Sequence, residues 1–553
     1  MTATALACRL LPLVNGEEFM TTRLGLRAFG VASILVSSLV QAAPKPFIYC
    51  SEGSPSTFNP QLATDGTTLN ATRAIYNRLV EFKYGATDIV PALAESWTIS
   101  KDGKTYTFKL RPNVKFQTTA YFTPTRNLNA DDVLFSFNRQ RLKDHPYHAL
   151  NSSNYEYFNS MDMGALIKNI EKVDDLTVRF TLNKPEAPFL ANLAMDFASI
   201  LSAEYGDVLK KKGAAEKIDI EPVGTGAFVF QRYEKDQAIR YKANPNYFRG
   251  KTAIDNLVFV ITPDPSVRLQ KLKTGECQFI TEPAPSDLAA IKASPNLQLM
   301  EKPGLNVGYL AMNVEKPPFN NPLVRQAMNH ALNRKSYIDA IYLGNAMIAK
   351  NPMPPTQWGY NDKVVDYDYD PAKAKELLAK AGFPNGFSTE LWTLPVSRPY
   401  NPKGKKMGEM MQSDLAKIGV QVKLISYDWP TYLAKSKNGE HQMLQMGWTG
   451  DNGDPDNFLN VNLSCAAVAA GGNRARWCNP NFETLIQKAS VITDKKQRIR
   501  LYEEAQLIAK QQAPWVALAH AKVYRAMSKD VQGYKIDPFG VDYFEEITLK
   551  HLP

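Results

Sequence analysis

Histidine and cysteine are scarce, with six and five in 553 residues. No cysteine has a histidine or a second cysteine at ligand spacing, so no bound metal is expected. Catalytic signatures are missing too: there is no G-x-S-x-G elbow and no H-E-x-x-H helix, which excludes hydrolase machinery of those two kinds. The glycine-rich segment Gly224-Thr225-Gly226-Ala227-Phe228 lacks phosphate-loop spacing and reads as the tight start of a strand. There is no internal repeat or low-complexity tract. Long apolar runs are absent, since the run Ala28 to Val40 is too short to span a bilayer and no other stretch approaches it.

A formal net charge of +10 invites a nucleic-acid partner, but the lysines and arginines are scattered among acids. Only short clusters occur, such as Lys210-Lys211-Lys212 and Lys403 to Lys406, and a solvated face explains them. No nucleic-acid motif is present, and no nucleic-acid partner is expected.

At 553 residues the chain is too long for one hydrophobic core, which implies two or more domains. Met20-Thr21-Thr22-Arg23-Leu24-Gly25-Leu26-Arg27, the apolar run after it and Gln41-Ala42-Ala43 have the basic, apolar and small-residue regions of a secretory signal. The pattern predicts a leader over residues 1–42, cleaved before Ala43, and a soluble exported protein without a cofactor. Glu17 and Glu18 make residues 1–19 a poor signal start, which points to Met20 as the initiator. Cys8 leaves with the leader. Four cysteines then remain, Cys50, Cys277, Cys465 and Cys478, an even number that suggests two disulfides in any of three connectivities. A bridge closing the short loop from Cys465 to Cys478 would contribute roughly 3 kcal/mol.

In the first half of the mature chain, strands and helices are interspersed. Phe47 to Cys50 reads as a strand, and Thr68 to Phe82 as an amphipathic helix with Leu69, Ile75, Leu79 and Phe82 near helical spacing. Lys101 to Lys104 reads as a hairpin turn before the alternating strand Thr105 to Arg111. Asn129 is a cap for a helix with acids in its first turn.

The second half is more regular. Asp370 and Pro371 open a helix that Gly382 ends. Strand Phe387 to Leu394, helix Lys403 to Ile418 and strand Val420 to Ser426 form a βαβ unit, whose strands should be parallel neighbours, and strand Gln442 to Trp448 continues the pattern. In open α/β sheets ligands gather beyond the carboxyl ends of the strands. Two loops stand there: Ser397-Arg398-Pro399-Tyr400 after one strand, and Gly447-Trp448-Thr449-Gly450-Asp451 after another.

The second loop continues through Asp454 and Asp456 but is not a calcium loop, because the twelfth position from Asp451 is Asn462 rather than Glu. If Arg398 and Asp451 do not pair with each other or with surface charges, they can take the two ends of a zwitterion. The guanidinium would fork onto a carboxylate and the carboxylate would accept an ammonium. A dipeptide is roughly 7 Å long, so the two groups should be held apart across a gap.

Longer stretches carry a resemblance. Tyr49-Cys50-Ser51-Glu52-Gly53-Ser54-Pro55, Tyr76 to Lys83, Asp102 to Phe108, Pro185 to Ala191, Pro303 to Leu310 and Gly447 to Asn457 are similar to the periplasmic dipeptide receptors of ABC importers. These belong to the large family of peptide- and nickel-binding solute receptors, solute-binding protein family 5. The likeness runs from about Lys45 to the C-terminus, with departures at Phe116-Gln117-Thr118-Thr119 and at Ala227.

The resemblance implies an α/β, two-lobed periplasmic binding protein fold with a hinge and a discontinuous first lobe. Residues 43–303 plus 522–553 would form lobe one, and 304–521 lobe two. Arg398 would meet a dipeptide's carboxylate and Asp451 its amino terminus, with Thr64, Pro399, Tyr400, Trp448, Thr449 and Gly450 lining the pocket. It further implies the pairings Cys50 with Cys277 and Cys465 with Cys478, and a monomer that serves an inner-membrane permease and ATPase from the periplasm. A haem carrier or broader oligopeptide receptor is the alternative within this family, and an exported peptidase the alternative outside it.

Overall fold

The computed structural model describes residues 45–150 and 154–550. The leader with its cleavage site, Met20 and Cys8 lie outside them, as does His551. Among the described residues no helix is long and apolar enough to cross a membrane.

One strand organises the rest. Trp515–Ser528 runs through the middle of a twelve-stranded sheet and pairs on both sides along different parts of its length. Its first part pairs antiparallel with Asn306–Met312 and Ala346–Ile348, and its last part with Leu297–Pro303 and Phe279–Thr281. Two groups of strands therefore hang from one shared strand. The first group continues from Phe279–Thr281 through Phe47–Ser51, Asn256–Ile261, Ala238–Ala243 and Phe228–Glu234. The second continues from Asn306–Met312 through Met443–Thr449, Ser388–Trp392 and Gln421–Ile425.

The chain also crosses between the groups at Gly304. There the Asn306 side chain donates to the Ala521 carbonyl at 2.8 Å and accepts from the Ala521 N–H at 2.9 Å, tying the two crossing segments together. A Cβ at Gly304 would collide with that side chain.

The second group matches the expected βαβ unit. Ser388–Trp392 lies parallel to Gln421–Ile425 on one side and to Met443–Thr449 on the other. Helix Gly404–Ala416 covers them, with Met407, Met411 and Leu415 buried against Leu391, Val422 and Met443. Helix Pro371–Lys380 starts as anticipated: Asp370 accepts from the Lys373 N–H and Pro371 takes the first turn.

The first group carries a separate antiparallel sheet in the order Ala94–Ile99, Thr105–Leu110, Thr177–Leu182, Ile167–Asp174. Its first two strands turn at Gly103, whose φ of 68° only a glycine adopts freely. Asn129 and Asp132 close a reciprocal cap on helix Ala130–Arg141. Cys50 lies 6.0 Å from Cys277 and Cys465 4.7 Å from Cys478, Cα to Cα, the two bonded pairs implied by the resemblance.

One expected element is wrong. The helix over Thr68 to Phe82 ends at Arg73, and Val80–Phe82 is instead a short strand paired with Ile89–Pro91. Its apolar residues are buried, but the backbone at Ala74 and Ile75 is used elsewhere. The Ala74 carbonyl accepts from the Phe228 N–H at 2.9 Å, and the Ile75 carbonyl from the Gly226 N–H at 2.8 Å. This close approach explains the glycines that open strand Phe228–Glu234: a Cβ at Gly224 or Gly226 would overlap those carbonyls.

Gln117 and Ala227 meet at the same place. The buried Gln117 amide donates to the Gly226 and Phe228 carbonyls at 3.0 and 2.8 Å.

Candidate functional site

A cavity opens between the two strand groups where strand ends converge. Its cavity volume is about 100 Å³, and it is continuous with solvent. Arg398 and Asp451 both line it, as do Thr64, Pro399, Tyr400, Trp448 and Thr449. Gly450 is not among the lining residues. It is buried behind the wall, where its N–H donates to the Leu305 carbonyl at 2.7 Å and a Cβ would strike the Phe458 ring. Its lack of a side chain lets Phe458 pack against the loop.

Each end is built by a short loop. After Ser388–Trp392 the chain makes a tight turn in which Arg398 and Asn401 exchange backbone hydrogen bonds of 3.2 and 3.0 Å, so that Pro399 and Tyr400 form the tip. The buried Gln445 side chain, from the neighbouring strand, accepts from the Leu394 N–H and the Asn401 amide, both at 3.1 Å, and anchors the loop.

Tyr400 rests on two glycines. Gly308 and Gly447 face each other across paired strands, and a Cβ on either would overlap Tyr400 atoms. Gly447→Ala should therefore push this ring off its seat and weaken ligand binding roughly tenfold, since overpacking costs about 1–3 kcal/mol. Calorimetry would read the loss, with far-ultraviolet dichroism unchanged.

At the other end, the Asn457 side chain accepts from the Trp448 indole N–H at 3.0 Å and the Asp451 N–H at 2.8 Å, fixing aromatic face and carboxylate together. The other acids of this stretch do different work. Asp454 takes both ends of the Arg498 guanidinium at 2.8 Å, and Asp456 opens helix Asp456–Leu463.

Arg398 and Asp451 do not pair with each other. Arg398 is buried, donates to Glu52 and, at 2.7 Å, to the Thr67 hydroxyl, and stands over the Trp429 ring at 5.1 Å. Burial works against its charge, but Glu52 more than offsets this and holds the guanidinium charged. Burial likewise opposes the charge on Glu52, yet Arg398 and Thr67 bring that carboxyl below the ordinary range.

Asp451 has no such cation in contact. It accepts the Tyr157 hydroxyl, and Arg73 acts on it from further away while bonded to Asp196. Burial dominates and raises the Asp451 carboxyl to about 7. Glu282, which also lines the cavity, is raised to about 7 by burial although Arg525 lies 3.0 Å away. The cavity thus offers a permanent positive charge at one end and, at the other, a carboxyl poised to ionise when a cation arrives.

Several lining residues were not anticipated. Glu52 and Glu282 directly follow or end the parallel strands Phe47–Ser51 and Phe279–Thr281, so the strand-end rule applied to the first half would have found them. Asp65, which accepts the Trp429 indole N–H at 3.2 Å, caps helix Gly66–Arg73. Arg73, Tyr309 and Arg474 carry no local sequence signal. Among the described residues no histidine lines the cavity, and no group of histidine, cysteine and acids could hold a metal.

The family of bacterial extracellular solute-binding proteins, family 5, matches residues 88–470. The chain is 52% identical to a dipeptide-binding protein of Escherichia coli, over 95% of this chain and 98% of that protein. It is 51% identical to heme-binding protein A of Haemophilus influenzae, over 91% and 92%. Among solved structures, a dipeptide-binding protein from a Pseudoalteromonas species in complex with Met-Leu superposes with a TM-score of 0.89, at 41% identity, covering 92% of this chain and all of that one.

Proposed function

The chain belongs to the bacterial extracellular solute-binding proteins of family 5, and from that premise we propose a periplasmic receptor that takes dipeptides by both charged termini and presents them to an inner-membrane ABC permease and its ATPase. Its fold is the two-lobed periplasmic binding protein fold of that family. We assign residues 43–303 plus 522–553 to lobe one and 304–521 to lobe two. The shared strand Trp515–Ser528 and the Asn306 tie at the second crossing support that division.

The observation that carries the reading is the pair of opposite charges, each at the end of a different strand, facing one cavity without touching. Arg398 takes the peptide carboxylate and Asp451 the ammonium, while Tyr400 and Trp448 pack against what lies between. Thr64 adds a contact from lobe one. A receptor of this kind makes and breaks no covalent bond: its affinity comes from charge pairing in a water-poor site, and its signal from closure.

The protein resembles a haem carrier in sequence as closely as it does a dipeptide receptor, but among the described residues no imidazole lines the cavity to meet an iron. Calorimetry with Ala-Ala, N-acetyl-Ala-Ala, Ala-Ala-amide and free alanine tests the proposal. Ala-Ala should bind and each blocked form should bind at least about a hundredfold more weakly, because each removes one charge pairing between a ligand terminus and the cavity wall. Equal affinities across the panel would refute it.

The Asp451 carboxyl predicts a pH optimum. In the free protein it titrates near 7, whereas a bound ammonium favours the ionised form and lowers the value, so below pH 7 binding must expel a proton. Affinity should fall about tenfold per pH unit below 7. Above pH 8 it should fall again as the peptide amino group, with an ordinary value of about 7.7–8.0, loses its proton. Glu282, also near 7, adds to the alkaline loss by ionising beside the ligand carboxylate. Titrations in two buffers of different ionisation heat would read the released proton. Constant affinity between about pH 5.5 and 7 would contradict the role given to Asp451.

A further inference from the structure

Arg474 is a buried cation that the capture of peptide termini does not use. It follows helix Cys465–Ala470, lies 4% exposed, and lines the cavity together with Asn462 and Gly472. Its Nε has no hydrogen-bond partner, and its Nη1 reaches only Glu156 Oε1, at 3.1 Å. The same carboxylate serves Lys437, whose Nζ is 2.7 Å from Oε2. Two cations thus share one anion. Burial alone would raise the Glu156 carboxyl, but Arg474 and Lys437 bring it to about 2, so the acid is fully committed to them. Asn462 Oδ1, across the same stretch of wall, is also buried without a partner.

A buried guanidinium with unmet N–H groups is costly unless something that accepts hydrogen bonds completes it. We propose that Arg474 is the anion-selecting residue of a side-chain subsite for the ligand's first residue, so that dipeptides beginning with glutamate or aspartate are preferred over their amide counterparts. This rests on the dipeptide reading given above.

The subsite belongs to the ammonium end for two reasons. Glu156, the partner of Arg474, immediately precedes Tyr157, whose hydroxyl donates to Asp451. Asn462 lies on the same helix as Asn457, which fixes Trp448 and Asp451, about 7.5 Å further along its axis. Arg398 and its partners Glu52 and Thr67 belong to the opposite end. Gly472 lets this loop pack closely, since a Cβ there would meet the Val461 carbonyl and the Ser160 hydroxyl.

Competitive calorimetry with Ala-Ala, Glu-Ala, Gln-Ala, Ala-Glu and Ala-Gln tests this. Glu-Ala should bind about tenfold or more tightly than Gln-Ala, whereas Ala-Glu and Ala-Gln should differ little. In Arg474→Gln the ratio between Glu-Ala and Gln-Ala should fall to about one, a readout independent of any general loss of affinity. Equal binding of Glu-Ala and Gln-Ala by the unaltered protein overturns the subsite even if the variant does not fold, and so does a ratio that survives the substitution. Failure of Ala-Ala itself to bind overturns the dipeptide reading, and the subsite with it, whereas Ala-Ala binding without discrimination removes the subsite alone.

Discussion

Asp451→Asn is expected to weaken Ala-Ala binding by roughly 100- to 1,000-fold, the size of effect seen when one partner of a buried charge pair is removed. The substitution keeps the shape of the side chain and the Asn457 anchor on the backbone N–H, because that bond does not involve the carboxylate. What it removes is the charge that neutralises the ligand's ammonium. The variant should therefore treat Ala-Ala and N-acetyl-Ala-Ala nearly alike, which a general loss of packing would not produce. The unaltered protein should approach the same behaviour in acid, since protonation below pH 7 makes Asp451 as neutral as asparagine. A variant that keeps full preference for the free amino terminus would place the ammonium on another group.

Arg398→Ala should cost as much affinity and should in addition destabilise the protein. The reason is Glu52. In the empty cavity Arg398 is the cation that keeps this buried carboxylate ionised, and breaking a buried pair by removing one partner costs about 3–5 kcal/mol. Loss of binding in Arg398→Ala is thus open to a trivial explanation, unfolding, which Arg398→Lys separates. Lysine restores a charge for Glu52 but cannot fork onto a carboxylate with two parallel hydrogen bonds. The lysine variant should melt close to the unaltered protein, yet discriminate Ala-Ala from Ala-Ala-amide far less. If both stability and discrimination return with lysine, the guanidinium geometry has no special role.

The arrangement around Glu52 bears on closure. Arg398 follows a strand of the second group, while Glu52 and Thr67 belong to the first, and Trp429 and Asp65 repeat the pattern with a third hydrogen bond between the groups. A peptide carboxylate arriving at Arg398 therefore enters beside an acid already seated there. The guanidinium, with five N–H donors, has enough of them to serve both.

Much of the site could be read in the chain because it follows one topological rule. The βαβ periodicity located the second strand group, and the rule that ligands sit beyond strand ends picked out Arg398 and Asp451 directly. The same rule is harder to read in the first half, where short strands separated by long insertions hide the parallel pairing of Phe47–Ser51 with Phe279–Thr281. Glu52 and Glu282 were missed for that reason and not for lack of a signal. Arg73 and Arg474 are different. They reach the cavity through tertiary packing of helices and loops far apart in the chain, which no local pattern records.

The misread helix after Gly66 teaches the same lesson about backbone. Its apolar spacing is helical, but the carbonyls of Ala74 and Ile75 are claimed by Phe228 and Gly226, some 150 residues away. Tertiary hydrogen bonds decide where such a helix stops. The resemblance implies Gly450 on the cavity wall, yet a glycine has no side chain to present, and a Cβ here would meet Phe458.

The central claim, that one cavity measures a dipeptide between a fixed cation and a titratable acid, is tested most directly by a crystal structure of the protein grown with Ala-Ala. The account predicts the peptide ammonium within about 3.2 Å of the Asp451 carboxylate and the peptide carboxylate at a similar distance from the Arg398 guanidinium, with the peptide extended between them. A peptide bound in the reverse direction, or one whose termini contact neither residue, would contradict it.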